Sequence, residues 1–169
     1  MNKFSGKGVY GAIAIGKISI FKRQEVSVHK THIKDVENEK NRVNFAKELA
    51  RNQLQEIYNK AKKEVGETNA QIFEIHMMMI DDDDYNESII SIIETQLVNA
   101  EYAVAKTAEI FVQKFSSMED SYMQARAADI KDISNRIIQN LDTSNAKPIE
   151  NDEKAIICAD DMAPSETVL

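Results

Sequence analysis

Residues 35–66 read DVENEKNRVNFAKELARNQLQEIYNKAKKEVG. Apolar side chains recur at Val36, Val43, Ala46, Ala50, Leu54, Ile57, Ala61 and Val65. The steps are sevens, threes and fours, which places them on one stripe of an α-helix. Between Asp35 and Leu141 there is one glycine, Gly66, and no proline. Glycine costs roughly 1 kcal/mol and proline roughly 3 kcal/mol inside a helix, so a stretch this free of both is helical. Gly66 falls where a left-handed C-terminal cap belongs, and Thr68 to Gln71 has the spacing of a capping box for a second helix. That helix carries Ile72, Phe73, His76, Met79 and Ile80 on one side.

Four aspartates, Asp81–Asp84, follow. Adjacent carboxylates repel one another, yet Asp is favoured at a helix N-terminus, so a kink and restart are expected. Tyr85, Ile89, Ile92, Ile93 and Leu97 continue the next stripe. Asn99 is a candidate cap for a further helix with Val104, Ala108, Phe111, Phe115 and Met118 on its apolar side. A capping signal at Ser117 to Asp120 precedes a last helix bearing Met123, Ala127, Ile130, Ile137 and Leu141. Long amphipathic helices with short connections read as an antiparallel bundle.

The ends differ. Ala12 to Phe21 (AIAIGKISIF) alternates like a strand around a central glycine. Asp142 to Glu153 is polar and reads as a loop. Ala155 to Ala159 (AIICA) reads as a short buried strand, with Cys158 as an inert core residue. Ala163-Pro164-Ser165-Glu166 resembles a helix start. Two readings remain open for these ends: a frayed tail, or two pieces (1–21 and 145–169) of an incomplete α/β domain around the bundle.

The 169 residues carry 21 Lys+Arg against 28 Asp+Glu, a formal net charge of −7. That balance argues against nucleic acid and for a basic partner. A single cysteine implies no internal disulfide. No apolar run of about 18 residues marks a membrane span, and no signal peptide is read. The aspartate run fails as an EF-hand loop. Counted from Asp81, Asn86 stands at the sixth position and Ile92 at the twelfth, where Gly and Glu are needed. His29 and His32 lack companion ligands, and Gly6-x-Gly8-x-x-Gly11 precedes a strand instead of following one. His76, alone on an apolar face, reads first as a packing residue. Met77, Met78 and Met79 are consecutive, so they cannot all face one core. An outward methionine beside carboxylates gives an adaptable apolar centre with an acidic rim, the composition of a protein-docking surface. From the residues alone the chain is a binding module without a visible active centre.

Three segments together, AIAIGK (12–17), AQIFEIHMMMIDDDD (70–84) and SYMQARAADIKDISNRI (121–137), resemble enzyme I of the bacterial phosphoenolpyruvate:sugar phosphotransferase system. IICADDMAPSET (156–167) is similar to the same family's stretch before its active site. The resemblance implies a parent that moves a phosphoryl group from phosphoenolpyruvate onto a histidine and then to the carrier HPr. It implies a mainly α chain in which residues 30–144 form a helical HPr-binding subdomain. Residues 1–24 and 145–169 would be parts of a truncated α/β phosphohistidine (swivelling) subdomain. The accepting histidine, in a GG-x-TSH motif, would lie beyond Leu169, so the fragment is expected to be inactive alone. By resemblance, Glu67, Glu74, Asp82, Asp83 and Asp84 form an acidic rim for HPr. His76, Met78, Met79, Tyr85, Phe115, Tyr122, Met123 and Arg126 form the floor and its edge, and Thr167 lies near the active histidine. Thr68 stands where the family often has a carboxylate. No cofactor is expected in this chain, with Mg2+ and phosphoenolpyruvate assigned to a C-terminal domain of a cytoplasmic, homodimeric parent. A freestanding helical adaptor is the alternative.

Overall fold

The computed structural model describes residues 8, 11, 13–21, 27–142, 155–160, 162 and 167. Among them are five helices: α1 (Val36–Glu64), α2 (Glu67–Ile80), α3 (Asp83–Gln96), α4 (Ala100–Ser116) and α5 (Ser121–Leu141). Two strands, β1 (Lys17–Phe21) and β2 (Ala155–Ala159), lie on either side of the helices in sequence. The chain divides into two compact units. One holds residues 1–23 and 148–161, and the other holds residues 24–147 and 162–169.

In the helical unit the capping chemistry sets the boundaries. Asp35 caps α1 by accepting from the Asn38 amide at 2.9 Å. The expected left-handed helix cap is not formed at Gly66: Val65 is the C-cap of α1, and Gly66 is the N-cap of α2 at φ +89° and ψ 162°, a region that costs a side-chain-bearing residue but not glycine. It lets the chain reverse from α1 into α2. The two helices run antiparallel, since Lys62 meets Glu67 beside the turn and Arg51 meets Asp81 at the far end. No side chain caps α2, so the expected Thr68–Gln71 box does not form; the helix begins at Glu67, before Thr68 could act as a cap. The kink at the aspartate run is present. Asp82 accepts from the Tyr85 amide at 2.9 Å to open α3, and the Asn86 side chain donates back to the Ile80 carbonyl at 3.1 Å.

Asn99 occupies the N-cap position of α4 without a capping bond from its side chain. Its Oδ1 instead accepts from the Thr31 amide at 2.9 Å, within a short antiparallel pairing of residues 31–33 with 97–99. The α4 terminus is served from across the bundle: the buried Glu39 of α1 accepts from the Ala100 amide at 2.7 Å and from Arg42 at 2.7 Å. Arg42 also binds Glu101. The capping signal at 117–120 resolves into two roles, with Ser117 closing α4 and Asp120 opening α5.

The core gathers Val43, Ala46, Ala50 and Leu54 of α1, Phe73 and Ile80 of α2, and Tyr85, Ile89 and Ile93 of α3. Ala103 and Val104 of α4 and Ile130, Ile133 and Ile137 of α5 complete it. Each branched aliphatic buried here contributes about 1.5–3 kcal/mol.

The strand unit corrects three expectations. β1 begins only at Lys17, after Gly16, and Ile13 and Ile15 lie almost fully exposed. β2 pairs with β1 in parallel, Lys17 with Ala155 through Phe21 with Ala159. It is not buried, and Cys158 is exposed instead of packed in a core. The physical reason is that both faces of a two-stranded sheet need covering layers, and within this unit nothing described covers Ile156 and Ile157. The helix start read at Ala163–Glu166 lies outside the described residues, as does nearly all of the polar 142–153 segment.

Glu39→Ala removes both the cap of α4 and a partner of Arg42. It should cost about 2 kcal/mol, since it strands a buried backbone donor. A urea midpoint shift in a cooperative unfolding curve measures this.

A candidate docking face on α2 and α5

Helix α2 divides cleanly by face. Ala70, Phe73, His76, Met77 and Ile80 point inward, while Glu67, Gln71, Glu74 and Met78 form an exposed stripe at steps of four, three and four. Met78 is 72% exposed and Met79 is partly buried against the core. The consecutive methionines therefore split as their spacing requires, one inward, one outward and one between. Glu67 is tied to Lys62 at 2.6 Å.

The aspartates are not equivalent. Asp81 accepts from Arg51 Nε at 3.0 Å. Asp82 is the α3 cap, and Asp83 and Asp84 occupy the first turn, where their charges meet the positive end of the helix. Lys47 of α1 lies nearby. Burial lowers its pKa from the ordinary lysine value, and attraction to Asp81 and Asp83 opposes that shift. All four aspartates are exposed.

Two residues expected on the docking floor are inside the molecule. Tyr85 is 1% exposed; its hydroxyl lies 2.6 Å from Ser134 Oγ, which itself donates to the Ile130 carbonyl at 2.7 Å. The Tyr85 hydroxyl is therefore the donor. Its ring meets Phe111 edge-on at 5.5 Å. Burial raises its pKa well above the ordinary tyrosine value. His76 is also fully buried. Neither side chain can touch a docking partner directly. Each sits on the inward stripe of its helix, where Tyr85 has its hydroxyl paired and His76 has one ring nitrogen, Nε2, paired.

His76 faces α5. Its Nε2 is 3.2 Å from Asp129 Oδ1, and its Nδ1 is 3.6 Å from Asp132 Oδ2, too long for a hydrogen bond. Arg126 donates to the other Asp129 oxygen at 2.8 Å. The Arg126 guanidinium also binds the Tyr122 hydroxyl and stacks 4.4 Å from that ring's centroid. Tyr122 is 61% exposed. A continuous chain of contacts thus runs from a buried histidine on α2 to an exposed aromatic on α5. Burial alone would raise the Asp129 carboxyl, but the hydrogen bonds from His76 and Arg126, with attraction between the charges, outweigh it. Its pKa falls below the ordinary carboxylate value. An ionised Asp129 can only accept, so His76 Nε2 carries the hydrogen.

Asp129 and Asp132 were missed as site residues. The available signal was two carboxylates at i and i+3 among Ile130, Ile133 and Ile137, facing a lone histidine. Phe115 and Met123 are partly buried. Thr167 is exposed. Among the described residues no group of three or more His, Cys, Asp or Glu side chains is arranged to hold a metal ion. No helix among them is long and apolar enough to cross a membrane.

Residues 5–126 match the family model described as PEP-utilising enzyme, N-terminal. The chain is 36% identical to the phosphoenolpyruvate-protein phosphotransferase of Listeria monocytogenes, over 98% of this chain and 29% of that protein. It is 34% identical to that of Bacillus subtilis, over 99% of this chain and 30% of that protein. The chain therefore spans less than a third of the length of these curated relatives. A solution NMR structure of an enzyme I protein superposes with a TM-score of 0.76 at 32% identity, covering 90% of this chain and 63% of that one. A structure named as the N-terminal domain of Enzyme 1 – Nitrogen gives a TM-score of 0.72 at 23% identity, covering 92% and 64%, which supports the fold alone.

Because Asp129 has a depressed pKa in the fold, its stabilising effect is complete above the unfolded carboxylate value of about 3.9. It is lost as pH falls through the lower folded value. Asp129→Asn should therefore destabilise the chain by about 1–3 kcal/mol at pH 7. The gap to the parent should narrow below about pH 4 as the parent's carboxylate is protonated. Urea melts across pH 2.5–7 measure it.

Proposed function

This chain belongs to the PEP-utilising enzyme, N-terminal family, and from that premise we propose that it is the HPr-docking region of an enzyme I. The observation that carries the reading is the exposed α2 stripe of Glu67, Glu74 and Met78, together with the exposed Tyr122 and the Arg126 beneath its ring. The stripe presents one adaptable apolar side chain among carboxylates, and the acidic run Asp82–Asp84 extends the negative field past the kink. Basic residues of HPr complement this charge. Met79, Phe115 and Met123 supply the partly buried edge of the floor, and Tyr85 and His76 support it from below.

In this reading the parent takes a phosphoryl group from phosphoenolpyruvate onto a histidine and passes it to HPr during sugar uptake in the cytoplasm. None of this chain's three histidines stands in a GG-x-TSH sequence, so the phosphotransfer step belongs to a part of the parent other than these residues. The Mg2+ and phosphoenolpyruvate sites are assigned to a C-terminal domain, and the parent is a homodimer. The parallel pair β1–β2 would be part of the α/β phosphohistidine subdomain, with the helices 30–144 inserted between its strands. Thr167 would approach the accepting histidine.

Docking of this kind is fast and weak. Complementary fields raise association rates about 10–1000-fold, whereas each exposed rim pair adds only about 0–1 kcal/mol. A carrier that must leave after each transfer needs that combination.

Met78→Ala removes the most exposed apolar contact without touching the core. Titration of 15N-labelled HPr with the chain should show binding that weakens with added salt. The Met78→Ala variant should bind about 5- to 30-fold more weakly with an unchanged thermal midpoint. Salt-independent binding, or an unaltered affinity in the variant, defeats the proposal.

A further inference from the structure

The surface of the α2–α5 face is organised by a group that never reaches it. His76 has no exposure to water, yet only two residues separate it from the exposed Tyr122. The intermediates are Asp129, which accepts from His76 Nε2 on one oxygen and from Arg126 on the other, and Arg126, which donates to the Tyr122 hydroxyl and stacks on its ring. A carboxylate gripped on both oxygens cannot rotate. A guanidinium gripped at one end keeps its plane fixed for the aromatic stacked on it. The arrangement also has an electrostatic consequence. With Asp129 engaged, the positive charge of Arg126 is paired and drawn toward the bundle instead of standing free in an acidic field.

We propose that His76 is a positioning residue for docking: by clamping Asp129 it fixes Arg126 and Tyr122, the α5 side of the face that receives a cationic carrier. The inference rests on the docking reading above, and it adds a residue that acts without contact.

The geometry offers a selective test. A glutamine amide nitrogen reaches the place of an imidazole Nε2, whereas an asparagine amide nitrogen reaches only that of Nδ1, which faces Asp132 at 3.6 Å. In the intact chain, His76→Leu should weaken HPr binding about tenfold, the effect of one lost charge-assisted hydrogen bond. It should also move the Arg126 Nε–Hε resonance of the free chain toward its solvent-exposed position. His76→Gln should restore both readouts, and His76→Asn should restore neither. A role in packing alone would not separate Gln from Asn. Asp129→Asn, which keeps the side-chain volume, provides the second arm should His76→Leu fail to fold, and it should release Arg126 in the same way. The inference is overturned if His76→Leu or Asp129→Asn binds HPr like the parent with the Arg126 signal unmoved, or if Asn rescues as well as Gln. A parent chain that does not bind HPr at all overturns the docking reading instead.

Discussion

A histidine sealed from water between two carboxylates is costly to bury, and the helical unit gives it one hydrogen-bond partner, Asp129 on Nε2, while Nδ1 faces Asp132 at 3.6 Å without a hydrogen bond. His76 sits on the inward stripe of α2 beside Phe73, Met77 and Ile80, where desolvation would penalise any polar atom left unpaired. Asp129 answers it from α5 and is answered in turn by Arg126. Removing any one member strands the others in a low-dielectric setting, so the three hold α2 and α5 in one register. A purely apolar contact between the same helices would tolerate sliding by a fraction of a turn. The polar chain does not, because its distances are set to within a few tenths of an ångström.

The same logic recurs wherever helices meet end to side. Glu39 closes the amide end of α4 from α1, and Tyr85 reaches from α3 to Ser134 on α5. The kink after α2 is held by Asp82, Asn86 and the Arg51–Asp81 pair. The aspartate run therefore has structural and electrostatic duties at once. Asp81 has a basic partner and Asp82 is occupied as a cap, which leaves Asp83 and Asp84 to contribute most to any field reaching outward.

How far the sequence could be read follows from which of these features are local. Helix stripes, a helix break at Gly66 and the kink at the aspartates depend on residues within a turn of one another, and they were legible, although Gly66 opens α2 instead of capping α1. Inward-facing Tyr85 and His76 were placed on the floor because a motif records which residues cluster, not which way each one points. Met78 and Tyr85 lie seven positions apart, which on one straight helix would put them on nearly the same face. The kink between them, expected from the aspartate run, breaks that phase, so Tyr85 follows the inward stripe of α3 and not the outward face of Met78. Cys158 and the AIICA strand failed for a different reason. An apolar strand reads as buried whenever its covering layer is assumed, and the described strand unit holds no such layer.

The docking face proposed above, with one exposed methionine and one exposed tyrosine, would have little apolar area from which to draw affinity. Most of the free energy of a small interface goes to offsetting lost translational and side-chain freedom. Its usable surplus therefore depends on how much of the face is already ordered before contact. Met78 is flexible and supplies adaptability, whereas Tyr122 is stacked on a guanidinium whose orientation is fixed from the core. Holding one side rigid through buried bonds while leaving the other compliant keeps the ordering cost low without adding contacts that would slow release. The polar network inside the bundle and the sparse surface above it fit the proposed docking role, in which recognition would depend on preorganisation more than on area.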